Sequence, residues 1–440
     1  MNELIMRNIR CFVAPEHAVI KPLTLVLGDN SAGKTTLLSC IRLAWDMAYR
    51  TQKLDFNEDP FRFGAFEQIA HMFGGKKGRA RTITLGFREM INAEQSPSGK
   101  PECVHRELEL GKRGAESIVV SNKIDVDGIF TLHLGKSDSG KWTVSYKTPE
   151  KTVVRDIPAE YHAFLTDHGG ASWDMLLHIS GLAPYSVRPD AENKSDRLSE
   201  DEYLKIHRLL GPRFQNSAQR PFAVAPIRTQ PERTYNPAKE TPGPEGSHVP
   251  LVLAKTFFGD KSVWTRLKAA LEDFGKAGGL FDYIDVRPLG KSESDPFQIR
   301  VRLGGPKINY VDVGYGVSQV LPILVDAILS EERARFLWQQ PEVHLHPRGQ
   351  AALGTFLARM SSGGRHFVVE THSDYLVNRV RSEVAAGSIP AENVSILFLE
   401  RKRNQVQIHN MSIDSLGNLK GAPKGYRKFF FDEDRRFLGT

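Results

Sequence analysis

The residues with the clearest chemical potential lie near the start of the chain, at Gly28 to Thr36 (GDNSAGKTT). Gly28-x4-Gly33-Lys34-Thr35 has the residue types of a triphosphate cradle at the spacing such a cradle needs. The two glycines let the backbone curl so that its N–H groups, through Asn30, Ser31 and Ala32, converge on phosphate oxygens. Lys34 supplies a point charge for the β- and γ-phosphates, and the hydroxyl of Thr35, followed by Thr36, can ligate Mg²⁺. An apolar run (VIKPLTLVL) precedes the loop, and Lys34 to Tyr49 repeats apolar residues at helical spacing after it. Such a helix aims the positive end of its dipole at the same anion. ATP with Mg²⁺ is the expected ligand.

Three later segments carry chemistry of the same kind. Val313 to Leu321 (VGYGVSQVL) is a Gly-rich turn opening an apolar helix, and through Gly314, Gly316 and Ser318 it can present further N–H donors to phosphate or simply cap that helix. Phe336 to Pro347 (FLWQQPEVHLHP) is an apolar strand ending in polar residues, where a metal- or water-activating group belongs. His366 to Asp374 (HFVVETHSD) delivers Thr371, His372 and Ser373 to the end of another strand. Ligands of open α/β sheets bind at that edge. Glu342, His344 and His346 are also of metal-ligand type, and alternation places them on one face if the segment is extended. Glu370 reads as support for its neighbours rather than as a reacting group.

These segments need elements to hold them. Residues 2–13 and 18–27 pattern as short strands, and ITLGF, HRELEL, SIVVS, IFTLHL and KWTVSY predict an antiparallel meander up to about residue 150. EYHAFL, WDMLLHI and DEYLKIHRLL mark helices within 157–216, and 231–250 reads as an extended loop rich in Pro, Gly and Glu. From about 251 the strands FLWQQ, HFVVE and VSILFLE alternate with helices, the pattern of a parallel sheet. The expectation is an α/β chain in three parts: 1–150, an insertion at 151–250, and 251–440, with one sheet built from both ends. No repeat and no long heptad stretch is visible.

At 440 residues the chain can bury a large core, and its 25% charged and 40% hydrophobic residues are ordinary globular composition. A net charge of +7 permits contact with nucleic acid without arguing for it. Lys76, Lys77, Arg79 and Arg81 form either a phosphate contact or a solvated loop. Cys11, Cys40 and Cys103 are too scattered for a disulfide framework or a zinc site. The start carries no signal-like core, and no apolar run approaches the ~20 residues of a membrane helix. A cytoplasmic protein that does not engage a membrane is expected. Tyr426 to Phe431 with Phe437 could dock a partner or pack on the chain's own core, and Asp432 to Asp434 reads as a surface turn.

The order of these motifs resembles the ABC-type P-loop ATPase heads of the RecF, Rad50 and OLD class. More narrowly, PEVHLHP and ETHSD resemble prokaryotic AAA-type proteins, including the ATPase components of the PARIS and Septu anti-phage systems. The likeness covers nearly the whole chain, including Ala225 to Arg228, the Arg233 to Tyr235 loop and the C-terminal GNLKGAPKGYRKFFFDED. It implies a mainly parallel sheet with an antiparallel β subdomain and a helical insertion. It makes Gly28–Thr36 the Walker A loop, Gln68 the Q-loop glutamine and Gly314–Ser318 the signature. FLWQQPE becomes Walker B, HLHP the D-loop and His372 the switch histidine. Thr35, Gln68 and Gln339 then face the metal, and Glu342, His372 and Gln340 the chemistry. Two heads of this class sandwich ATP, the signature of one subunit completing the site of the other, so a homodimer or higher homo-oligomer is implied.

The pattern departs from the class in one place. Walker B ordinarily ends in two acids, and here Gln339 and Gln340 stand there. A neutral amide cannot be a general base. Either Glu342 takes over the water- or metal-directed role, or it is a structural D-loop residue and hydrolysis is slow. No effector domain is visible, with 68 residues after His372, too few for a Toprim nuclease. The resemblance therefore implies an ATPase and sensor subunit acting on a separate nuclease, with a phage protein as a candidate trigger. The alternatives are a RecF-like repair ATPase that clamps DNA directly and a nucleotide-gated scaffold with little turnover.

Overall fold

The computed structural model describes residues 1–49, 54–75, 78–91, 93, 96, 99–114, 116–137, 139–168, 173–184, 197–210, 220–237, 243–292 and 294–426. Lys76, Lys77, the segment after Tyr426 and Asp432 to Asp434 lie outside the described residues. The chain divides into two compact units, one of residues 1–20, 29–220 and 399–408 and one of residues 21–28, 221–398 and 409–440.

The first unit holds an antiparallel sheet of eight strands. In spatial order these are Thr152–Asp156, Trp142–Lys147, Phe130–Lys136, Glu116–Val126, Glu102–Arg113, Ile83–Ile91, Glu3–Arg7 and Glu16–Val19. From Glu102 to Leu110 burial alternates residue by residue, as it must where one face packs and the other meets solvent. The packed face meets the helices His162–His168, Trp173–Ile179 and Glu200–Leu210 through Leu132, Leu134, Val144, Trp173, Leu176 and Ile206. The meander and all three helices match the sequence pattern.

The second unit holds the mainly parallel sheet. Phe222–Val224, Arg335–Gln339, His366–Glu370 and Leu23–Gly28 lie side by side in parallel, so strands from both ends of the chain share one sheet. Val394–Lys402, Gln405–Ile413 and Leu419–Lys420 extend it. The parallel strands read as unbroken apolar runs because both faces are covered. Phe336 and Phe367 stack at 4.9 Å, with Trp338 edge-on to Phe367, and Trp338 is fully buried. Each such side chain contributes about 1.5–3 kcal/mol on burial. A smaller antiparallel sheet, Tyr283–Pro288, Phe297–Arg302 and Ile308–Asn309, also belongs to this unit.

Two strand expectations are corrected. The first strand stops at Arg7, because Asn8 and Arg10 adopt left-handed backbone (φ 59° and 46°) in a tight turn. The run 18–27 is split into Glu16–Val19 and Leu23–Gly28 at Lys21-Pro22, where Pro22 has no N–H to give a ladder and Lys21 N donates to Thr24 Oγ1 at 2.9 Å.

The helix Tyr315–Leu329 contains Pro322. A proline there removes the N–H that the Ser318 carbonyl would accept. The hydroxyl of buried Tyr310 supplies the missing donor, at 3.1 Å from Ser318 O. Tyr310→Phe is therefore expected to destabilise the fold by about 1–3 kcal/mol, the cost of an orphaned buried acceptor. Pro322→Ala, which restores the N–H, should shrink that loss when combined with it. Denaturant unfolding of the two single variants and the double variant measures this directly.

Candidate functional site

Within the first unit the loop after Gly28 is held by backbone that few sequences tolerate. Gly28, Ser31 and Gly33 have φ of 146°, 61° and 85°. A Cβ on Gly33 would lie 2.4 Å from Cys11 Sγ, so glycine is required there by backbone and by space. Ala32 N bonds Asp29 O at 3.2 Å, and Leu37 N bonds Gly33 O at 2.9 Å as the helix Lys34–Tyr49 starts. Asn30 and Ser31 are exposed. Lys34 is 4% exposed, with Nζ donating to Asp29 O at 2.8 Å. Thr35 is exposed while Thr36 is buried. The loop, the helix start and the Thr35 hydroxyl fit a Mg²⁺-bound triphosphate.

Arg10 is a residue that sequence reasoning missed. Its guanidinium reaches Thr36 Oγ1 (3.4 Å), Phe63 O (3.0 Å) and Gln68 O (3.3 Å), and lies over the Phe63 ring. It thus ties the base of the loop to the segment carrying Gln68. The only signal in the sequence is the Asn-x-Arg turn beside the first strand. Gln68 is exposed on the short helix Phe66–Ile69, its Oε1 accepting from Ala65 N at 3.0 Å.

Within the second unit parallel register brings several predicted residues to one sheet edge. Gln339 pairs with Glu370, and Glu370 with Val26, so Gln340 and Thr371 emerge level with Leu27, one residue before Gly28. Gln340 N donates to Glu370 O at 2.8 Å and Thr371 N to Val26 O at 3.1 Å. Gln339 is 5% exposed, and Gln340 takes a φ of 43° as the chain turns. Val343 N to Gln340 O and Leu345 N to Glu342 O make 340–345 a turn instead of an extended run. Glu342, His344 and His346 therefore do not share a face: Glu342 is 6% exposed, whereas both histidines are exposed. His346 caps the helix Pro347–Ser362 through Arg348 N.

Glu342 is the chemically distinctive group of this edge. Its Oε1 accepts from His372 N at 2.7 Å and the carboxylate also takes the Thr371 hydroxyl, while buried Oε2 has no protein partner. Burial pushes the carboxyl above its ordinary range, opposed by the His372 N–H, the Thr371 hydroxyl and, more weakly, the charge of Arg228. The His372 ring is exposed, and Ser373 caps the helix Asp374–Ala385 through Leu376 N.

The Gly-rich turn at Val313–Leu321 belongs to the same unit. Gly314 caps the helix Tyr315–Leu329 and faces open space, while a Cβ on Gly316 would come 2.9 Å from His344 O. Ser318 is 3% exposed and its hydroxyl donates to Tyr315 O at 2.9 Å. The turn packs directly against the Glu342–Leu345 turn, with the Tyr315 and His344 rings 5.6 Å apart. Among the described residues no group of three or more His, Cys, Asp and Glu is arranged to hold a metal, and no helix is long and apolar enough to cross a membrane. Gly33→Ala should cost about 1–3 kcal/mol of strain at the loop and abolish nucleotide binding. Titration with a fluorescent ATP analogue alongside thermal melting checks both.

Comparison with known proteins adds the following. Residues 180–378 match a family model described as "AAA domain, putative AbiEii toxin, Type IV TA system", and residues 3–153 match one described as "AAA domain". No curated protein sequence matches the chain. Among solved structures, the chain is similar to an Smc head bound to the C-terminal winged-helix domain of ScpA, at 11% identity and a TM-score of 0.43, over 94% of this chain and 98% of that one. The SMC head domain from Thermotoga maritima matches at 12% identity and a TM-score of 0.40, over 92% and 97%. An Smc head with an extended coiled coil from Pyrococcus furiosus, bound to the ScpA C-terminal domain, matches at 10% and 0.44, over 99% of each chain. Each of the two AAA-domain matches covers less than half of the chain, and together they show its likeness to AAA ATPase domains in both stretches.

Proposed function

We propose that this chain is a Mg²⁺-dependent ATPase that works as the sensor and scaffold subunit of an anti-phage defence complex, controlling a separate effector nuclease. The observation that carries the ATPase reading is Glu342: a buried carboxylate with one oxygen fixed by His372 N and the other without a protein partner, at the sheet edge from which the Gly28 loop departs. In this reading the N–H groups of Gly28 to Thr36 bind the phosphates, Lys34 adds its charge, and Thr35 with Gln339 and Gln68 faces the metal. Mg²⁺, when bound, neutralises phosphate charge and orients the oxygens. Glu342 accepts the proton of the attacking water at Oε2, its basicity raised by burial. His372 steadies that carboxylate through its backbone and offers its exposed ring to the γ-phosphate side. Gln340, an amide, can orient a water but cannot take its proton.

The exposed signature turn supports a second copy of the chain as the partner in the ATP-bound state. Tyr315, next to the open N-terminus at Gly314, is 54% exposed. In that arrangement Gly314 and Gly316 complete the phosphate site of the other copy, while Ser318, buried with its hydroxyl on Tyr315 O, holds the turn from within. The defence reading is supported by the AbiEii-type description of the matched family model and extends to a phage protein as trigger. A scaffold with little turnover is the second reading, favoured by the two amides at Gln339 and Gln340.

Lys34→Ala should abolish ATP binding. Glu342→Gln should bind ATP normally and hydrolyse it at least ~100-fold more slowly, while Gln340→Ala stays within a few fold of wild type. Steady-state turnover with matched binding isotherms measures all three, and wild-type turnover in Glu342→Gln together with a stalled Gln340→Ala contradicts the assignment. Co-purification with the product of the neighbouring gene should retain a nuclease in the presence of ATP. Salt-sensitive DNA binding by the isolated chain, with no partner retained, would favour the repair ATPase instead.

A further inference from the structure

Arg228 is a deeply buried arginine for which the proposed chemistry has so far given no use. It follows the edge strand Phe222–Val224, which runs parallel to Phe336–Trp338, so it emerges at the same sheet edge as the Glu342 turn. It is 3% exposed. Its Nη1 donates to Gln319 O at 2.8 Å, and its backbone N bonds the Gln319 side chain at 3.3 Å. Its Nε and Nη2 are buried and have no protein hydrogen-bond partner. A guanidinium stays charged even when buried, so this one needs a counter-charge. The opposite charge that acts on it is Glu342, whose Oε2 is likewise buried without a partner, though the two make no direct ion pair.

We propose that Arg228 is a positioning residue: anchored on the carbonyl of Gln319, it holds the Glu342 carboxylate by charge, so that the Gly314–Ser318 turn and the proposed base are set as one piece. Two observations beyond the charge support this. Gln319 lies one residue beyond Ser318 in the helix whose N-terminus is the signature turn, so a shift of that turn moves the anchor of Arg228. The same turn touches the Glu342 turn a second time, through Gly316 against His344 O. A ligand seated on Gly314 therefore acts on the Glu342 turn through the Gly316–His344 contact and, by charge, through Arg228. This inference rests on Glu342 being the base.

The groups packed around Glu342 are few enough to predict the titration. The strand end contributes the His372 N–H and the Thr371 hydroxyl, with Glu370 and the exposed His372 ring as its titratable side chains. Its own turn contributes the exposed His344 and His346. The segment after Phe222–Val224 contributes Arg228, and the helix contributes the neutral Gln319. Burial favours the protonated carboxyl and Arg228 favours the ionised one. Removing the positive charge raises the carboxyl further, so the acid limb of hydrolysis moves to higher pH.

The test is the pH profile of kcat for the full chain with Mg²⁺ and ATP, in wild type, Arg228→Gln, Arg228→Met, Arg228→Lys and Glu342→Gln. Arg228→Gln removes the charge while its amide can keep the Gln319 carbonyl bonded, so it reports even where Arg228→Met does not fold. The neutral variants should shift the acid limb to higher pH, recover turnover as pH rises, and leave ATP affinity within a few fold. Arg228→Lys should move the limb back toward wild type. A uniform loss at every pH with the limb unmoved, or no change at all, overturns the role of Arg228. If Glu342→Gln keeps the wild-type acid limb and rate, it is the assignment of Glu342 that fails.

Discussion

The structure depends on one register. Leu23–Gly28 pairs with His366–Glu370 such that Val26 faces Glu370, and Arg335–Gln339 pairs on the far side such that Gln339 faces Glu370. Leu23–Gly28 lies more than 300 residues from the other two strands in the chain, yet the C-terminal ends of all three must coincide for the Gly28 loop, the Gln339–Glu342 turn and the Thr371–Ser373 turn to leave from one edge. A slip of one residue would turn Val26, Phe367 and Trp338 from one face of the sheet to the other. Burial of those side chains on both faces forbids it. The hydrophobic core of this unit thus sets the chemistry of its edge.

The same constraint explains why a carboxylate can stand where it does. Glu342 lies beyond the end of its strand, past Pro341, and only the turn at 340–345 brings it inward. Its burial is made tolerable by two donors from the neighbouring strand end and by the charge of Arg228. Burying a charge without such compensation costs far more than one hydrogen bond returns. The arrangement reads as retained for its geometry, with the turn, the helix at Tyr315–Leu329 and the carboxylate mutually dependent.

Much of this was legible in the residue order. The loop at Gly28–Thr36, the meander and the parallel strands follow from local spacing and from periods of 2 and 3.6, and local rules carry them. What was not legible depends on contacts far apart in the chain. Nothing near Glu342 announces that it turns inward while His344 and His346 turn out, because the pattern is compatible with an extended run until the bonds to His372 and Gln340 are seen. Arg10 and Arg228 look like ordinary basic residues, and their roles appear only when Thr36 and Gln319 are placed beside them. Pro322 reads as a helix breaker, and the hydroxyl of Tyr310 that offsets it sits in another element.

The central proposal is that Glu342 and His372, at the edge where the strand leading to Gly28 also ends, act on the γ-phosphate of bound ATP. A photo-crosslinker carried on the γ-phosphate of ATP, followed by peptide mapping, tests this most directly. The account predicts adducts on the peptides containing Lys34 and on those containing Glu342 or His372, all lost when unmodified ATP competes. Labelling confined to the Lys34 peptide, or found only on peptides away from the sheet edge, would contradict it.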